Sequence, residues 1–327
     1  MKILLIGGTV FVGKHLAAEL LERGHELTLF NRGKTRTGLF PGVREVHGDR
    51  DGGLDALGDE EFDWVVDTCG YVPRVVEASA RYFEKRAKNY LFVSTISVYA
   101  PSSESGLDES AAISVIEDPE TEVVDARTYG ALKALCEQRV LDSFEGRALI
   151  PRPGYIVGPD DPTDRFTSWI WRLATRDVVL APEDRNQPLQ VIDVRDLARW
   201  MALQIEKGTS GAFNVAGEQG AHTMESTLNT CAAAIPDAGQ LRWIPAETWN
   251  AFEGKQPMDF PLWAPDPSVW GAMEVTSAKA AACGLTYRPL AETVVDTLSW
   301  AKSRPADHAW RAGIAEDREA ALQDELP

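Results

Sequence analysis

Tyr129-Gly130-Ala131-Leu132-Lys133 is a YxxxK motif, a phenol and an amine four residues apart. If the segment is helical, the two side chains share one face, a turn apart. An ammonium so placed favours the phenolate and lowers a pKa that starts near 10. Such a phenol is a general acid when a carbonyl is reduced and a general base when an alcohol is oxidised. The pattern is common by chance, so its context decides. Ahead of it the apolar run Tyr90–Val93 reads as a strand and ends in Ser94, Thr95 and Ser97, hydroxyls suited to a reacting oxygen.

Those groups need a frame that brings a redox partner to them, and the start of the chain supplies one. Lys2–Ile6 is a short apolar run rich in branched residues, fit for a strand buried on both faces. Gly7 and Gly8 break it, and Val12, Leu16, Leu20 and Leu21 then recur at helical spacing. Gly24 closes that helix, and Glu26–Phe30 reads as a second strand. Strand, glycine turn, helix, strand is one βαβ unit. Its turn lies where a helix N-terminus offers free N–H groups and a positive dipole end to a pyrophosphate.

The acidic residue that usually closes the second strand of an NAD-binding unit, and holds the ribose 2′-hydroxyl, is replaced here by Asn31. Arg32, Lys34 and Arg36 follow. Loss of the carboxylate and gain of guanidinium groups favour a 2′-phosphate, hence NADP(H), with NAD(H) still open because Asn31 permits either.

These motifs resemble the extended short-chain dehydrogenase/reductase family, in its NAD-dependent epimerase/dehydratase branch. Gly7 and Gly13 match the first and last glycines of that family's G-x-x-G-x-x-G turn, while Val10 stands at the middle one. A β-branched residue there cannot allow the same backbone approach to phosphates. The form GGTxFxG is similar to a divergent group that includes the chloroplast stem-loop-binding proteins and many bacterial reductase-like proteins. The resemblance implies cofactor contacts from Gly7, Thr9, Phe11, Val12 and Gly13, and from Cys69 in the small-residue turn Thr68-Cys69-Gly70. It further implies that Asp49, in Gly48-Asp49-Arg50-Asp51, meets the adenine amino group, and that Lys133 holds the nicotinamide ribose. Aligning Val98-Tyr99 with the family's V-Y-G places Thr95 as the catalytic hydroxyl beside Tyr129 and Lys133, with Ser97 as runner-up. Glu137, close behind the lysine, reads as a solvated helix charge.

The rest of the chain alternates strand and helix signals. The expected fold is α/β, a doubly wound parallel sheet of Rossmann type with a smaller C-terminal substrate lobe. Residues 1–154, with returning segments near 191–217, form the dinucleotide-binding domain. Segments 155–190 and 218–290 form the substrate lobe, and 291–327 the C-terminal helices and tail. The stretch Trp243–Trp270 suits either an aromatic substrate pocket or a small second core.

The net charge of −17 sets an unfavourable field against nucleic acid and anionic membrane surfaces. Cys69, Cys136, Cys231 and Cys283 lie far apart without CxxC spacing, which argues for reduced thiols in a cytoplasm and against a zinc site. The scattered histidines offer no metal-ligand pair. Met1–Ile6 is too short for a signal peptide, and no run of about eighteen apolar residues spans a membrane.

The resulting expectation is an NAD(P)-dependent oxidoreductase acting on a carbonyl or alcohol of a small substrate, in an oligomeric state the residues do not fix. Two alternatives stay open: an epimerase of a nucleotide sugar working by transient oxidation, and a nucleotide-sensing or RNA-binding relative. The sugar-nucleotide dehydratases of the family carry Asp-Glu after the catalytic threonine, where this chain has Ile96 and Ser97. Tyr155 stands where nucleotide-sugar enzymes tend to have Asn.

Overall fold

The computed structural model describes residues 1–326. The N-terminal half alternates as the βαβ reading requires: β1 (Lys2–Ile6), α1 (Phe11–Glu22), β2 (Glu26–Asn31), β3 (Arg44–His47), β4 (Phe62–Asp67), α2 (Pro73–Phe83), β5 (Ala87–Phe92), α3 (Tyr129–Ser143) and β6 (Ala148–Pro153). After it come β7 (Tyr155–Val157), α4 (Thr167–Thr175), β8 (Val178–Pro182), β9 (Val191–Asp193), α5 (Val194–Lys207) and β10 (Gly211–Val215). The chain closes with α6 (Met224–Ala234), β11 (Gln240–Ile244), α7 (Ala246–Ala251), α8 (Ala278–Ala282), α9 (Leu290–Lys302) and α10 (Glu316–Asp324).

Seven parallel strands form the central sheet in the order β10-β6-β5-β4-β1-β2-β3. Ile3, Leu4, Leu5 and Ile6 are all buried, because helices cover both faces of the sheet. Helices α1 and α5 pack together over one face and α2 and α3 over the other. The strand order reverses between β1 and β4. The crevice at that switch point, outside the carboxyl ends of the strands, is where such sheets bind ligands.

A separate apolar cluster unites α4, β8, α6, α9 and α10, with Trp169, Ile170, Leu228, Ile244, Trp249, Phe260, Val294 and Leu322 among its members. Two short parallel pairs, β7 with β9 and β8 with β11, lie outside the central sheet. Most of the tryptophan-rich stretch goes into this cluster. Trp249 lies 4.7 Å, ring to ring, from Phe260, and Trp169 stacks on Phe260 at 6.0 Å.

Candidate active site

The crevice opens into a cavity of about 1120 Å³, lined by the glycine turn, the ends of β2, β4 and β5, the start of α3 and the loop after β7. Its volume lies just above the usual range for ligand pockets, about 300–1,000 Å³, as a dinucleotide with a small second molecule demands.

Gly7 has φ +112, and a Cβ there would lie 2.5 Å from the Thr68 hydroxyl. A Cβ on Gly13 would come 2.7 Å from the Gly8 nitrogen, so α1 leaves the turn with no room for a side chain. Val10 precedes α1 without a side-chain cap, which leaves the first-turn N–H groups free for an anion. Asn31 Nδ2 and Ser94 Oγ, on two residues that line the cavity, are buried with no protein partner. A nucleotide with hydroxyls and phosphates fits this donor set.

Gly7, Thr9, Phe11, Val12, Gly13, Asn31, Arg32, Asp49 and Cys69 all line the cavity. Arg36 does not. Its guanidinium bonds Asp160 at 2.7 Å, whereas Lys34 and Thr35 stand at the cavity wall in its place. Asn31 Oδ1 accepts the Gly33 N–H at 2.8 Å and so turns the chain after β2. Beneath this end, Arg50 grips Asp67 with two bonds of 2.7 and 2.6 Å. Burial pushes the Asp67 carboxyl up, but Arg50 outweighs it and holds the group below the usual carboxylate range.

Tyr129 is the first residue of α3, and the helix begins no earlier. Asp125 is the reason, because its carboxylate accepts the N–H groups of Arg127 and Thr128 and finishes a turn there. Gly130 lets α3 press onto the turn after β5, since a Cβ on it would collide with the Ser97 carbonyl. Thr95 is 8% exposed, and its Oγ1 accepts the Ser97 N–H at 3.1 Å and donates to Ser97 Oγ at 3.2 Å. Burial raises the Tyr129 phenol pKa, while hydrogen bonding with Thr95 and the positive charge of Arg165 pull it down.

Lys133 lies one turn on, but its ammonium does not serve the phenol here. Nζ donates to the carbonyls of Gly70 at 2.7 Å and Val93 at 2.8 Å and sits 3.9 Å over the Phe92 ring. It thereby ties the turn after β4 to the end of β5 on the cavity wall. Burial pushes its pKa down to about 8. The cation acting on Tyr129 is therefore Arg165, which sequence spacing does not point to. Only the acid-rich run Gly158–Phe166 could have drawn attention to it.

Glu137 also departs from expectation. It is buried and paired with Arg152 through bonds of 2.9 and 2.6 Å, and Arg152 bonds the Tyr99 hydroxyl at 3.0 Å. This pair fastens α3 to β6 and so fixes the helix that carries Tyr129. No tryptophan from Trp243 to Trp270 lines the cavity among the described residues; Met258 does, and Met273 just beyond the stretch.

The family model of the NAD dependent epimerase/dehydratase family matches residues 51–216, just over half of the 327-residue chain. The chain is 28% identical over 266 residues to the chloroplast stem-loop binding protein of 41 kDa b of Arabidopsis thaliana, covering 75% of this chain and 67% of that protein. The fold is similar to that of MoeE5 in complex with UDP-glucose and NAD, with TM-score 0.67, 18% identity, and 92% and 99% of the two chains covered. It is likewise similar to the UDP-glucose 4-epimerase of Thermus thermophilus in complex with NAD, with TM-score 0.64, 19% identity, and 93% and 100% covered.

Proposed function

Since the chain belongs to the NAD dependent epimerase/dehydratase family, we propose that it moves a hydride between a nicotinamide cofactor and a carbonyl or alcohol carbon of a small substrate, with Tyr129 as general acid and base. One observation carries the reading: the glycine turn, Thr95, Tyr129 and Lys133 all line one cavity. On this reading residues 1–154, with segments near 191–217, hold the nucleotide, and 155–190 with 218–290 cover the substrate.

When bound, the nicotinamide supplies the hydride donor or acceptor. The chain's own residues do the rest. The N–H groups at the start of α1 hold the pyrophosphate, and Asn31 with Arg32 and Lys34 holds the adenosine end. We favour NADP(H) because no carboxylate closes β2 and both cations line the cavity. Thr95 bonds the reacting oxygen and the phenol of Tyr129, which gives up its proton as a carbonyl becomes an alcohol. Its raised pKa keeps the phenol protonated at neutral pH, as a general acid must be. Lys133, besides bracing the cavity wall, would hold the ribose hydroxyls of the bound cofactor. The free thiols at all four cysteines suit a cytoplasmic location.

A second reading, epimerisation of a nucleotide sugar by oxidation and return of the hydride, draws on the fold shared with a UDP-glucose 4-epimerase. Tyr155, in place of the usual Asn, stands against it. The net charge of −17 stands against RNA binding, despite the stem-loop-binding relative. Screening aldehydes, ketones and nucleotide sugars for NADPH oxidation or epimerised product separates these readings. A chain that binds NADPH yet converts none of the three classes would refute the enzyme reading.

A further inference from the structure

Between β7 and α4 the chain runs Gly158-Pro159-Asp160-Asp161-Pro162-Thr163-Asp164-Arg165-Phe166, and all three aspartates are buried. Asp160 and Asp164 have φ of +70 and +60, a conformation that costs a non-glycine residue free energy unless its surroundings hold it. Both are held. Asp160 bonds Lys14 at 2.6 Å and Arg36 at 2.7 Å, with His15 Nε2 at 3.3 Å. Asp164 bonds Arg304 at 2.6 Å, His308 at 3.1 Å and the Arg311 N–H at 3.1 Å. Asp161 accepts the N–H and hydroxyl of Thr163 at 2.9 and 2.7 Å. One anchor reaches the nucleotide-side elements, the other the segment after α9. Between them the loop delivers Thr163 and Arg165 to the cavity.

Arg165 differs from the arginines around it. Arg36 and Arg304 each have a carboxylate partner. Among the described residues Arg165 forms no ion pair: its Nε donates to Thr163 Oγ1 at 3.1 Å, and its guanidinium lies 5.2 Å over the Tyr155 ring. A guanidinium offers five donors in a planar fork matched to carboxylate and phosphate, and most of those donors are unused here. Its charge acts on the phenols of Tyr129 and Tyr155 and on the Asp161 carboxyl, and Arg165 lines the same cavity as the two tyrosines. In a chain of net charge −17, capture of an anion has to be local.

We propose that Arg165 recognises an anionic substrate, pairing with a carboxylate or phosphoryl group of the molecule whose carbonyl or alcohol carbon lies at Tyr129 and Thr95. The location of the reacting carbon rests on the proposed role of Tyr129; the anion site itself does not. The pinned loop explains the precision, because both aspartate anchors must hold for the guanidinium to stay aimed. Tyr155 then serves as the ring over which the guanidinium is held.

The test is calorimetric titration of the cofactor-saturated protein with malonate and with inorganic phosphate. At least one should bind saturably, and the tighter of the two names the source of the anion. Arg165→Met should weaken that binding roughly 10–100-fold, the scale of a charged hydrogen-bonded pair, with cofactor affinity unchanged. Arg165→Lys, which keeps the charge, should weaken it less. Neither probe is turned over, so an error about the phenol leaves this result standing. Three outcomes overturn the proposal: no saturable binding of either probe to wild type, wild-type affinity in Arg165→Met, or a parallel loss of cofactor affinity, which would assign Arg165 to the cofactor.

Discussion

Arg36 and Asp160, 124 residues apart in sequence, meet in a hydrogen-bonded ion pair of 2.7 Å. The pair joins the loop after β2 to the loop after β7, and Lys14 of α1 shares the same carboxylate. Of the cations that follow β2, Arg36 is thus committed to the protein, while Arg32 and Lys34 line the cavity. Fluorescence titration should show NADPH binding more tightly than NADH. Arg32→Ala should shrink that preference by about tenfold, the scale of one charge-assisted contact, and Arg36→Ala should change it much less. Equal affinities for the two cofactors in wild type would refute the NADP(H) assignment.

Thr95→Val keeps the shape of the side chain and removes the hydroxyl that bonds toward Tyr129. Turnover should fall roughly 10–100-fold with cofactor affinity spared. Ser97→Ala should be milder, since Ser97 is exposed and Thr95 is the residue whose hydroxyl pulls down the pKa of the phenol. A larger loss in Ser97→Ala would exchange the two roles.

Gly130→Ala puts a methyl group against the Ser97 carbonyl and pushes the start of α3 off the turn after β5. Urea unfolding should show a loss of about 1–3 kcal/mol, as overpacking costs elsewhere. Turnover should fall with it, because Tyr129 precedes the displaced residue. Wild-type stability in this variant would mean that the close approach is not needed.

How much of this is legible in the sequence follows from how far apart the interacting residues are. The glycine turn and YxxxK declare themselves because a βαβ unit and one helical turn are local patterns. The apolar run Lys2–Ile6 needs only its own composition to be placed as a strand buried on both faces. Partners distant in the chain leave no such trace. Glu137 looks like any helix charge until Arg152 arrives from β6, and Asp164 meets Arg304 from 140 positions away. The position of Lys133 is legible, but its direction is not. Spacing gives the helix face, whereas the carbonyls of Gly70 and Val93 that claim its ammonium come from two other strands' ends. For Trp243–Trp270, composition alone fits a pocket and a core equally well.

Lys133 also predicts a pH dependence. Its folded pKa of about 8 lies below the unfolded value of 10.5, because burial disfavours the charge. Between those two pH values the unfolded chain holds more protons than the folded one, so this group's contribution to stability rises with pH. Below pH 8 the cost of the buried charge is present in full. The unfolding free energy of wild type minus that of Lys133→Met should therefore increase from about pH 7 to about pH 10. A difference that stays constant or falls would contradict the burial of a charged lysine. The same variant should lose both turnover and cofactor affinity, since it leaves two wall carbonyls without a donor.

The central claim is that the Tyr129 phenol moves the proton. Tyr129→Phe removes one oxygen and keeps the ring that packs 6.4 Å from Tyr71. Steady-state turnover of this variant, on whichever substrate the screen identifies, should fall roughly 10²–10⁴-fold, while its NADPH affinity and unfolding midpoint stay at wild-type values. Full turnover in Tyr129→Phe would contradict the account, whatever the substrate.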